Sequence, residues 1–110
     1  MLSKNDVIEI NKIFDHGKIV NNSSLDFALS SANKTKDWIT QLAYLVRAIV
    51  MDHVFEEGNK RTAVAVMVVY IEASKKRYDE YKVDVIIRDL IKKNIVDISR
   101  IRSMIKNAIV

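Results

Sequence analysis

The spacing of apolar residues in the middle of the chain restricts the fold more than any other feature. Between residues 38 and 49 they recur every three or four positions, as on one face of a helix, at Trp38, Ile39, Leu42, Leu45, Val46 and Ile49. This spacing predicts a helix from about Asp37 to His53, with His53 on the core-facing side of its last turn. The following run, Ala63 to Ile71, is apolar all round and predicts a helix enclosed by other helices.

Two further helices are predicted before these. Ser3 followed by Asp6 is typical of a helix N-terminus, and the apolar stripe behind it ends before Gly17. Ser24 is the expected cap of a second, short helix that carries Phe27 into the core. Proline is absent and glycine occurs twice, so the two glycines are the main residues expected to end helices and form turns.

Apolar stripes at residues 83–91 and 98–109 predict two closing helices. Many of these residues are β-branched, so propensity alone leaves short strands open. No linker, repeat or low-complexity tract divides the chain. The periodicity therefore favours an all-α fold, as a single domain of residues 1–110 with one buried central helix.

Composition narrows the class of protein. Hydrophobic residues make up 49% and charged residues 29% of the chain, which is typical of a globular domain rather than a disordered one. The absence of cysteine excludes disulfides, thiolate metal sites and a cysteine nucleophile. The first ten residues contain no apolar run typical of a signal peptide, and no run is long enough for a membrane span. We expect a soluble cytoplasmic protein.

The net charge of +4 is a weak indication of an anionic partner. Positive residues gather in the C-terminal third, at Lys75, Lys76, Arg77, Lys82, Arg88, Lys92, Lys93, Arg100, Arg102 and Lys106. We interpret them as solvated helix faces. A basic helical module that binds nucleic acid without catalysis is the less favoured alternative.

Chemistry-bearing residues concentrate in "HVFEEGNKR", residues 53–61, between the two most apolar helices. Gly58 permits backbone angles closed to other residues. The N–H groups of Gly58, Asn59 and Lys60 would then converge at the start of the next helix and form an anion site. Lys60 and Arg61 add two cations there. Phosphate is the expected ligand.

Polyphosphates usually bring Mg²⁺, which prefers oxygen ligands and takes one or two carboxylates from a protein. Glu57 is placed to supply one, whereas the side chain of Glu56 should point elsewhere. His53 is the candidate general base. A zinc site is excluded, because there is no His-Glu-x-x-His pattern and no third ligand. These residues predict phosphoryl or nucleotidyl transfer.

The stretch "HVFEEGNKR" resembles the signature of the Fic/Doc family, His-x-Phe-x-(Asp/Glu)-Gly-Asn-(Gly/Lys)-Arg, at all seven specified positions. The apolar pattern around it is similar to the family's helices before and after the signature. The last two predicted helices fit the small death-on-curing (Doc) branch. By resemblance, the segment "SANKTK" falls where the family has a flap, a short β-hairpin that docks the target. A flap and an ordinary loop are both open interpretations of this segment.

The resemblance implies a role for each matching residue. His53 would be the catalytic base that acts on a target hydroxyl, and Phe55 a structural anchor in the core. Glu57 would hold Mg²⁺ while ATP or another nucleoside triphosphate serves as co-substrate. Phosphate and nucleotide binding would come from an anion hole of Gly58, Asn59 and Lys60, with side-chain donors from Asn59 and Lys60, and from Arg61.

Two departures from the family pattern distinguish its branches. Lys60 stands where AMP-transferring Fic enzymes often carry a second glycine, and Val64 stands where they carry a second arginine. Both features resemble Doc, which transfers the terminal phosphate of a nucleoside triphosphate to a hydroxyl of a translation elongation factor. Doc is a toxin neutralised by an antitoxin. No Ser/Thr-x-x-x-Glu inhibitory motif occurs here, so a separate antitoxin is the expected inhibitor.

Two enzyme-related alternatives stay open beside the Doc-like phosphotransferase. The first is a Fic-type protein AMP transferase. The second is a degenerate family member that binds nucleotide without turnover. His16, the other histidine, is interpreted as part of a helix-ending turn with Gly17.

Overall fold

The structure is a computed structural model that describes residues 2–110, and these residues form six α-helices. They are α1 (Lys4–Phe14), α2 (Asn22–Asn33), α3 (Trp38–Met51), α4 (Asn59–Ala73), α5 (Glu80–Lys92) and α6 (Ile98–Ala108). Within this range no β-sheet forms, and two isolated β-bridges are the only strand-like pairings. The predicted all-α class is confirmed. None of the six helices has both the length and the apolar character needed to cross a bilayer.

Polar side chains begin five of the six helices. The caps accept a hydrogen bond from a backbone N–H of the first turn, and they are Ser3, Asn21, Asp37, Asp79 and Asp97. Ser3 and Asp6 form the reciprocal capping box that the sequence predicts for α1. The predicted cap of α2 at Ser24 is wrong. Asn21 starts that helix, because its side chain accepts the N–H of Ser24 at 3.3 Å.

Helix α3 lies at the centre of the fold and packs against α2, α4, α5 and α6. Seven of its residues are buried: Leu42, Ala43, Leu45, Val46, Ala48, Ile49 and Val50. Helix α4, which the sequence predicts to be enclosed on every side, packs against α1, α3 and α5. Its remaining side is open, so that Val69 is 39% exposed. The buried central helix is therefore α3 rather than α4.

Phe27 is not in the core. The buried positions of α2 are Leu25, Ala28 and Ala32, at helical spacing of three and four, and Phe27 lies on the other side with 60% of its surface exposed. Helix α2 is longer than the short helix predicted from the sequence and ends at Asn33. For that reason the stretch "SANKTK" is the end of α2 followed by a turn, and it forms no β-hairpin flap.

The α3–α4 loop (residues 52–58) is anchored to the segment between α1 and α2. Ile19 and Phe55 form an antiparallel bridge, with the Val20 N–H donating to Val54 O at 2.8 Å and the Glu56 N–H donating to Lys18 O at 3.0 Å. The Phe55 side chain is fully buried. Backbone pairing on one side and a buried ring on the other thus give this loop a defined position between two core helices.

Asp37 joins the start of α3 to α6. Its carboxylate caps α3, accepts the Thr40 hydroxyl at 2.5 Å and pairs with the Arg102 guanidinium at 2.6 Å. The hydrogen bond from Thr40, together with Arg102, lowers the pKa of Asp37 below its usual 3.8. Because the folded pKa is the lower one, the stabilisation is present above about pH 4 and is lost as the pH falls through the folded pKa.

We expect Asp37→Ala to reduce the free energy of unfolding by about 2 kcal/mol at neutral pH, since a cap and an ion pair are lost together. Urea unfolding at neutral pH and again well below the usual carboxyl pKa measures this, and the difference from the unchanged chain should shrink in acid. Asp79→Ala is the matched control. Asp79 caps α5 through the Lys82 N–H at 3.1 Å and has no ion pair among residues 2–110. If the two variants lose the same free energy of unfolding, and this loss does not depend on pH, the stabilising role of the Asp37–Arg102 ion pair is contradicted.

Candidate active site

A cavity of about 410 Å³ opens where the α3–α4 loop meets the start of α4. Its wall includes six of the residues singled out from the sequence, namely His53, Glu57, Gly58, Asn59, Lys60 and Arg61. The seventh, Phe55, does not line the cavity and is buried below it. The structure therefore brings these six residues to one space and leaves Phe55 in the core.

Gly58 gives α4 an N-terminus unlike those of the other five helices. It adopts the left-handed conformation, with φ 78° and ψ 14°, and provides no side-chain cap. Within residues 2–110 no acceptor is found for the N–H groups of Gly58, Asn59, Lys60 and Arg61. Unpaired N–H groups at the positive end of a helix dipole make a site for an anion.

The Asn59 side chain holds the loop closed. Its amide nitrogen donates to Phe55 O at 2.8 Å, and its amide oxygen accepts from Phe55 N at 3.0 Å. One amide hydrogen stays available for a further acceptor. Asn59 thus shapes the cavity through the backbone of Phe55, while donation from its side chain to phosphate stays a prediction.

His53 lies beyond helix α3 rather than in its last turn. The helix ends at Met51 with Asp52 as its C-cap, and His53 follows in the left-handed conformation with φ 50°. The predicted helix end at His53 and its core-facing side chain are therefore wrong, because the left-handed conformation of His53 ends the helix before it. The side chain is exposed and lines the cavity. Lys75 and Asn94 adopt the same conformation directly after the C-caps of α4 and α5, so the positive φ of His53 is that of an ordinary helix end.

The two glutamates of the loop face different surroundings. Glu56 pairs with Lys18 at 3.5 Å and does not line the cavity. Glu57 lines it, and among residues 2–110 its carboxylate forms no ion pair. No group of three potential metal ligands occurs in this range. Asp15 also lines the cavity and forms no ion pair among these residues, and one or two free carboxylates beside an anion site fit Mg²⁺ that is bound largely through the phosphates of a substrate.

Lys60 and Arg61 lie between two cavities. Besides the first, they line a second cavity of about 300 Å³, whose wall also includes Phe14, Val64, Ala65, Asp84, Ile87 and Arg88. Both cations are exposed, and neither forms an ion pair within the described part of the chain. Their charges are thus available to a ligand in either cavity.

Four other residues of the first cavity are absent from the motif: Phe14, Asp15, Val50 and Ile91. They come from the end of α1, the last turn of α3 and the last turn of α5. The sequence shows Phe14 and Ile91 only as members of apolar stripes and Val50 only as an apolar residue beside one, and nothing near Asp15 distinguishes it from other helix-end acids. Tertiary packing alone places them here.

Comparison with family models gives a match over residues 2–71 to the model described as the Fic/DOC family. The matched range covers more than half of the chain and contains all seven predicted site residues. Searches of curated proteins and of solved structures give no significant match. Helices α5 and α6 lie outside the matched range.

Proposed function

Since the chain belongs to the Fic/DOC family, we propose that it transfers the terminal phosphate of a nucleoside triphosphate to a hydroxyl group of a protein. Members of this family are transferases that use nucleoside triphosphates. The observation that carries the proposal is the single cavity in which His53 shares a wall with the uncapped start of α4. A base and an anion site side by side are what an in-line phosphoryl transfer requires.

In the proposed reaction His53 accepts the proton of the target hydroxyl through the ring nitrogen that carries its lone pair. The hydroxyl oxygen forms a bond to the γ-phosphorus, and the bond from that phosphorus to the β–γ bridging oxygen breaks. The products are a phosphate ester on the target and a nucleoside diphosphate. The N–H groups at the start of α4, with Lys60 and Arg61, would stabilise the negative charge of the transferred group.

Glu57 would hold Mg²⁺, which supplies charge neutralisation of the phosphate oxygens when bound. The free carboxylate beside the anion site supports this role. Phe55 would not contact the substrate and would act by anchoring the α3–α4 loop in the core.

Transfer of phosphate rather than AMP is proposed from two residues of α4. The side chain of Lys60 lines the first cavity at a position where AMP-transferring relatives often carry glycine. Val64 lines the second cavity at the position of their second arginine. The side chain of Lys60 would narrow the space in which the phosphates bind. Val64, in place of an arginine, would remove one contact to phosphate.

The target and the setting of the reaction are proposed from the same branch of the family. The target would be a translation elongation factor in the cytoplasm, and the protein would act as a toxin. A separate antitoxin would inhibit it, because no Ser/Thr-x-x-x-Glu motif is present in the chain.

Incubation of the protein with cell lysate and ATP labelled at either the α- or the γ-phosphate tests the proposal. We expect protein-bound label from γ-labelled ATP alone. Label from the α-phosphate alone would replace the proposal with AMP transfer. Absence of label from both, in a protein that binds nucleotide, would identify a member without turnover.

A double substitution, Lys60→Gly with Val64→Arg, tests why phosphate is favoured. Val64 is partly exposed beside a cavity of about 300 Å³, so an arginine fits there without entering the core. We expect the ratio of α-label to γ-label on the target to rise at least about tenfold above the background ratio of the unchanged chain, since a removed cation and an added clamp alter phosphate binding by about 1.4 kcal/mol. The two single variants are the controls, and an unchanged ratio in all three would contradict the assignment.

A further inference from the structure

Asn11 of α1 is a buried polar residue that the proposed reaction does not use. Its side chain is fully buried, and Thr62 of α4 is the other polar residue so enclosed within residues 2–110. Its amide nitrogen donates to Glu57 O at 3.1 Å and to Thr62 Oγ1 at 3.0 Å. Its amide oxygen accepts the N–H of Gly17 at 2.8 Å. One side chain thus connects α1, the turn after it, the α3–α4 loop and α4.

The orientation of this amide follows from its partners. A carbonyl oxygen such as Glu57 O accepts only, and the Gly17 N–H donates only. A flipped amide would place oxygen against the carbonyl and nitrogen against the N–H. The position therefore requires both an acceptor and a two-hydrogen donor, which among side chains of this size only asparagine provides.

Asn11 and Thr62 together fix two successive peptide groups of the anion site. Asn11 binds the carbonyl of Glu57, and the Thr62 hydroxyl donates to the carbonyl of Gly58 at 2.7 Å. In a planar trans peptide the N–H points away from the carbonyl of the same group. Holding the two carbonyls consequently sets the directions of the N–H groups of Gly58 and Asn59, which have no acceptor in the described part of the chain.

We propose that Asn11 is a positioning residue, which holds the N–H groups of Gly58 and Asn59 in the direction that binds phosphate. This inference rests on the proposed function of the cavity. An anion site gains from donors that are aimed before the ligand arrives, because reorienting them costs binding energy. A purely structural role would stabilise the fold and leave ligand affinity of the folded chain unchanged.

The test measures binding of adenylyl imidodiphosphate with Mg²⁺ to the full chain by isothermal titration calorimetry. Asn11→Asp keeps the size and the acceptor for Gly17 but removes both donors and adds a negative charge near the site, so we expect Kd to rise about tenfold. Thr62→Val adds no charge and is measured beside it, and the positioning role requires Kd to rise in both variants. Val7→Ala is the matched control. Val7 is fully buried on α1 and lines neither cavity, so its truncation removes core packing and no group of the cavity walls. Its Kd should stay within about twofold.

Both variants are compared at a temperature where urea unfolding shows each to be folded. A Kd for Asn11→Asp within twofold of the unchanged chain overturns the positioning role while leaving the proposed function in place. If the unchanged chain fails to bind the analogue, the proposed function itself fails. Should Asn11→Asp not fold, Thr62→Val decides the question: it removes one partner of Asn11 and the hydroxyl on Gly58 O, and a rise in Kd below about threefold overturns the role.

Discussion

Replacing His53 with alanine or asparagine is expected to reduce phosphate transfer about a thousandfold, the usual contribution of a general base. Asparagine is the sharper variant. It tolerates the left-handed conformation that His53 adopts at φ 50°, and it can donate a hydrogen bond, but it cannot take up a proton. The rate of label transfer from γ-labelled ATP, measured at saturating nucleotide, reports the loss.

The fold should be unaffected in both variants, because the side chain of His53 is exposed and makes no hydrogen bond within residues 2–110. We expect the free energy of unfolding to change by less than about 0.5 kcal/mol. His16→Ala is the matched control: His16 is also exposed but lines neither cavity at the site. Equal activity in His16→Ala and His53→Asn would remove His53 from the mechanism.

Gly58→Ala is expected to lower transfer about a hundredfold, since it disturbs the donors of the anion site. A Cβ at φ 78° costs about 1–2 kcal/mol in the left-handed conformation. It would also lie 3.2 Å from Asn11 Nδ2, which belongs to a side-chain amide that three hydrogen bonds hold in place. The loop must therefore shift rather than its neighbour.

Gly17→Ala separates strain from chemistry. Gly17 has a similar φ of 72°, but its added Cβ meets the flexible side chain of Lys12 at 2.8 Å, and Gly17 does not line the cavity and is linked to the site indirectly, through the N–H that it donates to Asn11. We expect a comparable loss in urea stability from the two alanine variants and at least about tenfold lower transfer in Gly58→Ala than in Gly17→Ala. Transfer that falls in proportion to stability in both would contradict the special role of Gly58.

Most of the residues that share the first cavity could be predicted from the sequence, because they lie within nine consecutive positions. The order of residues within this stretch predicts a glycine turn, the start of a helix and the charged residues beside them. Of the residues from His53 to Arg61, all except Val54, Phe55 and Glu56 line the cavity. Asn11 escaped prediction because its partners lie up to 51 positions away. Nothing in the stretch around it distinguishes a buried asparagine from a solvated one.

The helices could be predicted where the spacing of apolar residues is regular. The prediction of which side chains are buried failed where burial depends on the neighbouring helices. All six helices follow their stripes, but burial of a given stripe depends on which helices cover it. Phe27 has a helical neighbourhood like that of Leu25, yet only Leu25 faces another helix. The end of α3 depends on the turn at Asp52, which the continuing apolar pattern does not reveal.

The central claim is that the N–H groups at the start of α4 bind the phosphates of a nucleoside triphosphate beside His53. Titration of the ¹⁵N-labelled protein with adenylyl imidodiphosphate and Mg²⁺, followed by amide chemical shifts, tests it most directly. We predict the largest shifts at Gly58, Asn59, Lys60 and Arg61, with smaller ones at His53 and Glu57. Largest shifts on the basic faces of α5 and α6, with none at the start of α4, would contradict the account.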